Sequence, residues 1–180
     1  MGFLIRPYKS FEDAIIDLNS DLIFNKNCFT GWKTEKLICK ILETLKIKYN
    51  TQFIVCDSPK EGQFKMDIFI PEYNLIIEID GCQHFEGRRT WHQRLGWKVA
   101  VSRDVFKMQH VLKKGISVIR IVQQEAFEGK ELWFDTFIKS YIHSYETPII
   151  HYITTSDMFK DIYTNHKLYM DKEISDIDLY

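Results

Sequence analysis

Long hydrophobic runs are missing from this 180-residue sequence. No window approaches the ~18 uninterrupted apolar residues that a membrane span requires, so no membrane partner is expected. The start, Met1 to Pro7, has only Phe3-Leu-Ile5 before Arg6 and does not read as a secretory signal. Paired cysteines are also missing: Cys28, Cys39, Cys56 and Cys82 contain no C-x-x-C. A disulfide framework is therefore not expected, and a reducing intracellular setting is: cytoplasm, nucleus or, for a viral or phage protein, the host cell interior. Zinc is not expected either. Cys82, His84 and His92 lie close together, but a structural zinc site wants four ligands, usually in paired knuckles. There is no large net charge, with 24 Lys+Arg against 25 Asp+Glu, and no repeat or low-complexity tract. What is present is 45% hydrophobic and 14% aromatic residues, which excludes disorder as the main state. The length suits one domain with terminal additions.

The charges are unevenly placed. From His84 to Lys114 there are eight basic residues (Arg88, Arg89, Arg94, Lys98, Arg103, Lys107, Lys113, Lys114) against Glu86 and Asp104. From Asp171 onward Asp171, Glu173, Asp176 and Asp178 face only Lys172. A basic middle in a neutral chain is either a polyanion-binding face or a solvated helical surface.

Periodicity divides the chain into residues 1–30 as an N-terminal extension, 31–147 as the main domain and 148–180 as a C-terminal extension with an acidic end. Ser10-Phe-Glu-Asp can cap a short helix to about Leu22. A stronger helix is expected from Thr34 to Lys46, with Leu37, Ile38, Ile41, Leu42 and Leu45 as its buried stripe and Glu35 at the edge of that face. Strands follow at Tyr49–Cys56, Phe64–Ile70 and Leu75–Asp80, then a helix at Arg103–Lys114 stopped by Gly115. Ile116–Val122 reads as a buried strand and Lys130–Tyr145 as an amphipathic helix with Leu132, Trp133, Phe137, Ile138 and Tyr141 inward. Pro148 opens a separate tail, with a strand at Ile149–Ile153 and a helix near Asp157–Asn165.

Pro71-Glu-Tyr-Asn74 makes a hairpin turn, and pairing its arms is informative. Ile70 then faces Leu75, Ile68 faces Ile77 and Asp67 faces Glu78. Alternation places Phe64, Met66, Ile68, Ile70, Leu75, Ile77 and Ile79 on one side of the sheet. Lys65, Asp67, Phe69, Ile76, Glu78 and Asp80 fall on the other, with Lys65 facing Asp80. Two carboxylates about 5 Å apart across a ladder repel. Sharing a proton, holding a hard divalent cation or splaying into solvent each relieves that repulsion.

These residues resemble the PD-(D/E)XK, or restriction-endonuclease-like, nuclease superfamily. The closest pattern is the small branch related to the very-short-patch-repair endonucleases. The resemblance runs from about Gly31 to Tyr145. It is carried by Glu35, by Asp67-Ile-Phe-Ile-Pro71, by Ile77-Glu78-Ile-Asp80-Gly81-Cys-Gln83-His84, by Arg103-Asp104-Val-Phe-Lys107 and by Gly115-Ile-Ser-Val-Ile-Arg120-Ile. It implies an α/β fold with an αβββαβ core, a central mixed β-sheet flanked by helices. It also implies Glu35, Asp67 and Glu78 as ligands of Mg²⁺, for which Mn²⁺ can substitute. A bound Mg²⁺ makes water nucleophilic at neutral pH and neutralises developing charge. The superfamily's lysine, two residues after the motif Glu, is Asp80 here, which leaves Gln83, His84 and Lys65 as candidates for its role.

The expected activity is thus a metal-dependent DNA endonuclease or nickase, in a repair or recombination setting. The alternative is a catalytically inactive nucleic-acid-binding module that keeps the fold. Glu35, Asp67, Glu78 and Gln83 are the candidate catalytic residues. Lys65, His84, Arg88, Arg89, Arg94, Arg103, Lys107 and Arg120 are the candidate DNA contacts. Several have a plainer reading: Arg103 and Lys107 as exposed helix residues, Asp104 as a helix N-cap, Arg120 as a partner for a carboxylate. Trp91 and Trp97, between basic residues, suit either base stacking or core packing. A homodimer or a partner protein is compatible with all of this.

Overall fold

The computed structural model describes residues 30–58, 62–81, 96–155 and 157–179. They form an α/β fold with a five-stranded mixed sheet in the order β1-β2-β3-β4-β5. The elements are α1 (Thr30–Thr44), β1 (Asn50–Asp57), β2 (Gln63–Ile70), β3 (Leu75–Asp80), α2 (Gly96–Lys113), β4 (Ser117–Val122), α3 (Gln123–Trp133), β5 (Ile150–Ile153) and α4 (Asp157–Tyr169). β1, β2 and β3 are antiparallel neighbours, while β3, β4 and β5 run parallel. The expected helix at residues 10–22 lies outside the described residues.

Each face of the sheet is covered by helices. Ile38, Ile41 and Leu42 of α1 pack with Ala126 and Trp133 of α3 on Ile68, Ile70, Leu75, Ile77, Ile119 and Ile121. On the other face Val101, Val105, Met108 and Val111 of α2 cover Val55, Met66, Ile76 and Val118. β3 and β4 are buried along their whole length, as expected for parallel strands sandwiched between helices. Gly115 ends α2 with φ +77, its N–H reaching Leu112 O while Ile116 N–H reaches Val111 O, a closure that favours glycine.

Three expectations need correction. First, residues 148–180 are not an appendage: β5 pairs with β4 and α4 packs against α2, so a boundary at 147 would cut through the sheet. Parallel pairing is non-local, and local composition carries no trace of it. Second, the helix expected at Lys130–Tyr145 begins at Gln123. It passes at Phe134–Ile138 into a π-helical turn and at Lys139–Tyr141 into a 3₁₀ turn. The extra residue per turn rotates the stripe beyond Trp133, while Leu132, before it, already faces outward. Phe134 is buried, whereas Phe137 is 38% and Leu132 77% exposed. Phe137→Ala is therefore expected to cost under about 1 kcal/mol in denaturant unfolding. A loss of several kcal/mol would mean that the α-helical register holds after all.

Third, Met66 and Phe64 do not share a face with Ile68. Met66 packs under α2, and Ile68 under α1. The β1–β2 ladder pairs Thr51 with Ile68 and Phe53 with Met66 but skips Gln52 and Asp67. Gln52 has φ +54, a left-handed conformation that costs a non-glycine residue about 1–2 kcal/mol. Period-two alternation fails there, and both strands change face.

Candidate active site

Asp67 stands at that irregularity. The expected hairpin register is present at Ile70–Leu75 and Ile68–Ile77. Beyond Ile77 the two strands are joined by side chains. Asp67 N–H donates to Glu78 Oε2 at 3.0 Å, and Ile79 N–H donates to Asp67 Oδ2 at 2.8 Å. Peptide N–H groups must find acceptors when removed from water, and here two carboxylates supply them in place of backbone carbonyls. Glu78 is 3% exposed. Burial, reinforced by the Glu78 charge, pushes the Asp67 carboxyl up to about 7, against the pull of the Ile79 N–H and of Lys107.

Glu35, half-buried on α1, belongs to the same electrostatic group. Burial raises its pKa, the Glu78 charge adds to the rise, and a hydrogen bond from the Gln52 side chain opposes it. Glu35, Lys36, Cys39, Lys40 and Gln52 line an open groove between α1 and β1. Gln52 has no signature in the sequence, because nothing local marks a glutamine that will adopt positive φ.

Three of the cations expected to face DNA, Arg103, Lys107 and Arg120, are engaged within the protein. Lys107 is buried, with Nζ 2.5 Å from Glu78 Oε1, 3.6 Å from Asp104 Oδ1 and 3.3 Å from the Lys65 carbonyl oxygen. Burial alone would lower its pKa. The Glu78 and Asp104 carboxylates outweigh burial and hold it above its ordinary value. Arg120 is wholly buried on β4, beside Glu78 in the parallel register. It makes a bidentate pair with Asp80, Nε to Oδ2 at 2.9 Å and Nη2 to Oδ1, and its Nη2 lies 3.0 Å from Asp104 Oδ2. Of the two readings of Arg120, the carboxylate partner is the one observed. Arg103 is half-buried and donates from Nε to the Leu179 carbonyl oxygen at 2.7 Å.

Asp80 does not meet Lys65, whose side chain is exposed. The Tyr163 hydroxyl donates to Asp80 Oδ2 at 2.6 Å, and His166 Nε2 lies 3.4 Å from Asp104 Oδ2. Burial beside Arg120 keeps the His166 imidazole below its usual pKa. Asp104 is not an N-cap: it sits inside α2 and is buried. Its inward direction was legible, since Val101, Asp104, Val105, Met108 and Val111 follow one another at helical spacing on the buried stripe. Tyr163 and His166 carry no comparable signal. Gln83, His84, Arg88, Arg89, Arg94 and Trp91, and with them the zinc candidates Cys82 and His92, lie outside the described residues.

The result is a row of alternating charges, Asp67 and Glu78, Lys107, Asp104, Arg120, Asp80, leading from the opened ladder to α4. The expected three-carboxylate cage is only partly formed. Asp67 and Glu78 are adjacent and Glu35 lies within electrostatic reach, yet among the described residues no group of three or more His, Cys, Asp or Glu side chains is arranged to hold a metal ion. Lys107 occupies one Glu78 oxygen and the Asp67 N–H the other. Comparisons with protein-family models, curated proteins and solved structures found no match.

Proposed function

We propose that the chain is a metal-dependent phosphodiesterase of the restriction-endonuclease-like type that cuts or nicks DNA. The observation that carries this reading is the acidic pair Asp67 and Glu78, exchanged into the opened β2–β3 ladder with Glu35 nearby. Structural carboxylates are seldom placed side by side out of water, as Asp67 and the buried Glu78 are, where burial and repulsion raise the Asp67 pKa to about 7. The succession of one helix, three strands, a helix and a strand agrees with it.

The donor chemistry fits a hard divalent cation, since every candidate ligand is a carboxylate oxygen. Asp67 and Glu78 would hold Mg²⁺, with Glu35 as a further acid; the ion would supply activated water and neutralise charge on the leaving oxygen. The chain's own residues do the rest. Lys107 fixes the Glu78 rotamer and brings positive charge to the acidic pair, the contribution that Asp80 cannot make from the motif position. Asp104 and Arg120 hold Lys107 and Asp80 in place. Phosphate contacts fall to the basic stretch with His84, Arg88, Arg89 and Arg94, because Lys107 and Arg120 are buried in carboxylate pairs.

The ion pair between Lys107 and Glu78 favours a second reading, a nucleic-acid-binding module in which a lysine has taken the place of the metal. Supercoiled plasmid separates the two. With Mg²⁺ or Mn²⁺ the purified protein is expected to give nicked or linear circles, and EDTA is expected to stop it. Glu78→Gln should lower the rate about 100-fold or more while leaving duplex binding in EDTA unchanged. No cutting with either ion, alongside intact binding, selects the binding module.

A further inference from the structure

The acidic C-terminal stretch lies along α2. After Tyr169 the chain leaves α4, and Gln109 Nε2 donates to the carbonyl oxygens of Met170 and Lys172, both at 2.8 Å. It ends in a 3₁₀ turn at Asp176–Leu179, where Arg103 Nε holds the Leu179 carbonyl and the Leu179 side chain is fully buried. Asp171, Glu173 and Asp178 have exposed side chains, and the segment carries Asp171, Glu173, Asp176 and Asp178 against Lys172.

Position gives this packing its meaning. Arg103 precedes Lys107 by four residues, one turn of the helix and the same face. Lys107 is paired with Glu78. Because α2 connects the end of β3 to the start of β4, which run parallel, its first half lies at the end of the sheet where Glu78 and Asp80 stand. That end of a parallel sheet is where open α/β folds receive their ligands. A net-negative segment therefore occupies a helix cation one turn from the acidic pair.

We propose that residues 170–179 are an acidic strap that stands in for a phosphate chain on α2 and restrains nucleic-acid binding until it lifts from Arg103. The proposal rests on the nucleic-acid reading above and adds regulation of the same site. The strap is held at Arg103 and Gln109 through its main-chain carbonyls, and Asp178 Oδ2 accepts from the Ser175 N–H and hydroxyl, an acceptor that asparagine keeps. Neutralising the acids therefore retains these hydrogen bonds while removing the charge attraction that keeps the strap on Arg103. Its charge can thus be tested apart from its fold.

The test is the affinity of the full chain for a labelled DNA duplex in EDTA at several salt concentrations. Asp171→Asn/Glu173→Gln/Asp178→Asn should bind about tenfold tighter than wild type near 100 mM salt, with a melting temperature within about 3 °C. A control that removes three exposed acids elsewhere, Glu72→Gln/Glu128→Gln/Glu131→Gln, should gain no more than about threefold. Adding Arg103→Ala to the strap variant should cancel its gain. Equal gains in the strap and control variants, or a gain that survives Arg103→Ala, overturn the strap while leaving the nucleic-acid reading intact. If no variant binds duplex, strap and nucleic-acid reading fall together. Since cleavage plays no part, loss of plasmid cutting alone would remove only the catalytic reading.

Discussion

Asp67→Asn is expected to make the metal-free protein more stable above about pH 7 while abolishing metal-dependent cutting. The two effects share one cause. Asp67 titrates at about 7 in the fold against an ordinary 3.8, because burial and the Glu78 charge both oppose its ionisation. Between these values the folded chain keeps a proton that the unfolded chain has released. Stability therefore falls as pH rises from about 4 to about 7, and the full penalty persists above that range. At roughly 1.4 kcal/mol per unit, the penalty is of order 1–3 kcal/mol once relaxation of the site is allowed for. Asparagine cannot ionise, and its side-chain oxygen still accepts the Ile79 N–H. The variant should therefore melt several degrees above the metal-free wild type near pH 8, at about 2–4 °C per kcal/mol, and should show a flatter pH profile. Added Mg²⁺ should raise the melting temperature of the wild type and leave that of the variant unmoved. Lower stability than wild type at pH 8, or cutting at the wild-type rate, would sink this account of the acidic pair.

The second large effect lies deeper. Arg120→Met should destabilise the protein by about 3–5 kcal/mol, because it leaves Asp80 and Asp104 buried without their common cation. Arg120 is wholly buried and Asp80 equally so, which leaves water no route to take over its role. The loss should be smaller at low pH, where the abandoned carboxylates can take up protons. Adding Asp80→Asn to Arg120→Met should restore part of it, and the double-mutant cycle isolates the coupling between the two. An Arg120→Met variant within about 1 kcal/mol of wild type would show that the buried row of charges does not hold α2, β4 and α4 together.

Much of the architecture was legible along the chain. The stripe at Ile38, Ile41 and Leu42 marked α1. Pro71 and Asn74 marked the turn that sets the Ile70–Leu75 register; in the fold Asn74 closes it with a positive φ of +47. Gly115 marked the end of α2. In each case the deciding interactions lie within a few residues or follow a fixed period. Extending that register placed Asp67 opposite Glu78, but the ladder stops at Ile68–Ile77, and the two acids meet through side-chain hydrogen bonds to Asp67 N–H and Ile79 N–H that the register did not foretell. The face change at Gln52 was not legible, since positive φ at a glutamine follows from the strands around it. Nor was the π-helical turn that buries Phe134 in place of Phe137.

Lys107 and Arg120 show where reading along the chain stops. Their types and spacing suited phosphate contacts equally well, and a lone helix or strand cannot say whether a cation meets water or a carboxylate. Local periodicity thus settled which segments are helix or strand and where the hairpin turns, because those depend on near neighbours. The destinations of the cations, the inclusion of β5 and α4 in the sheet layers and the lie of the acidic segment along α2 depend on contacts between residues 29 to 83 positions apart. Only the folded chain brings such groups within reach, and burial then makes their pairing obligatory.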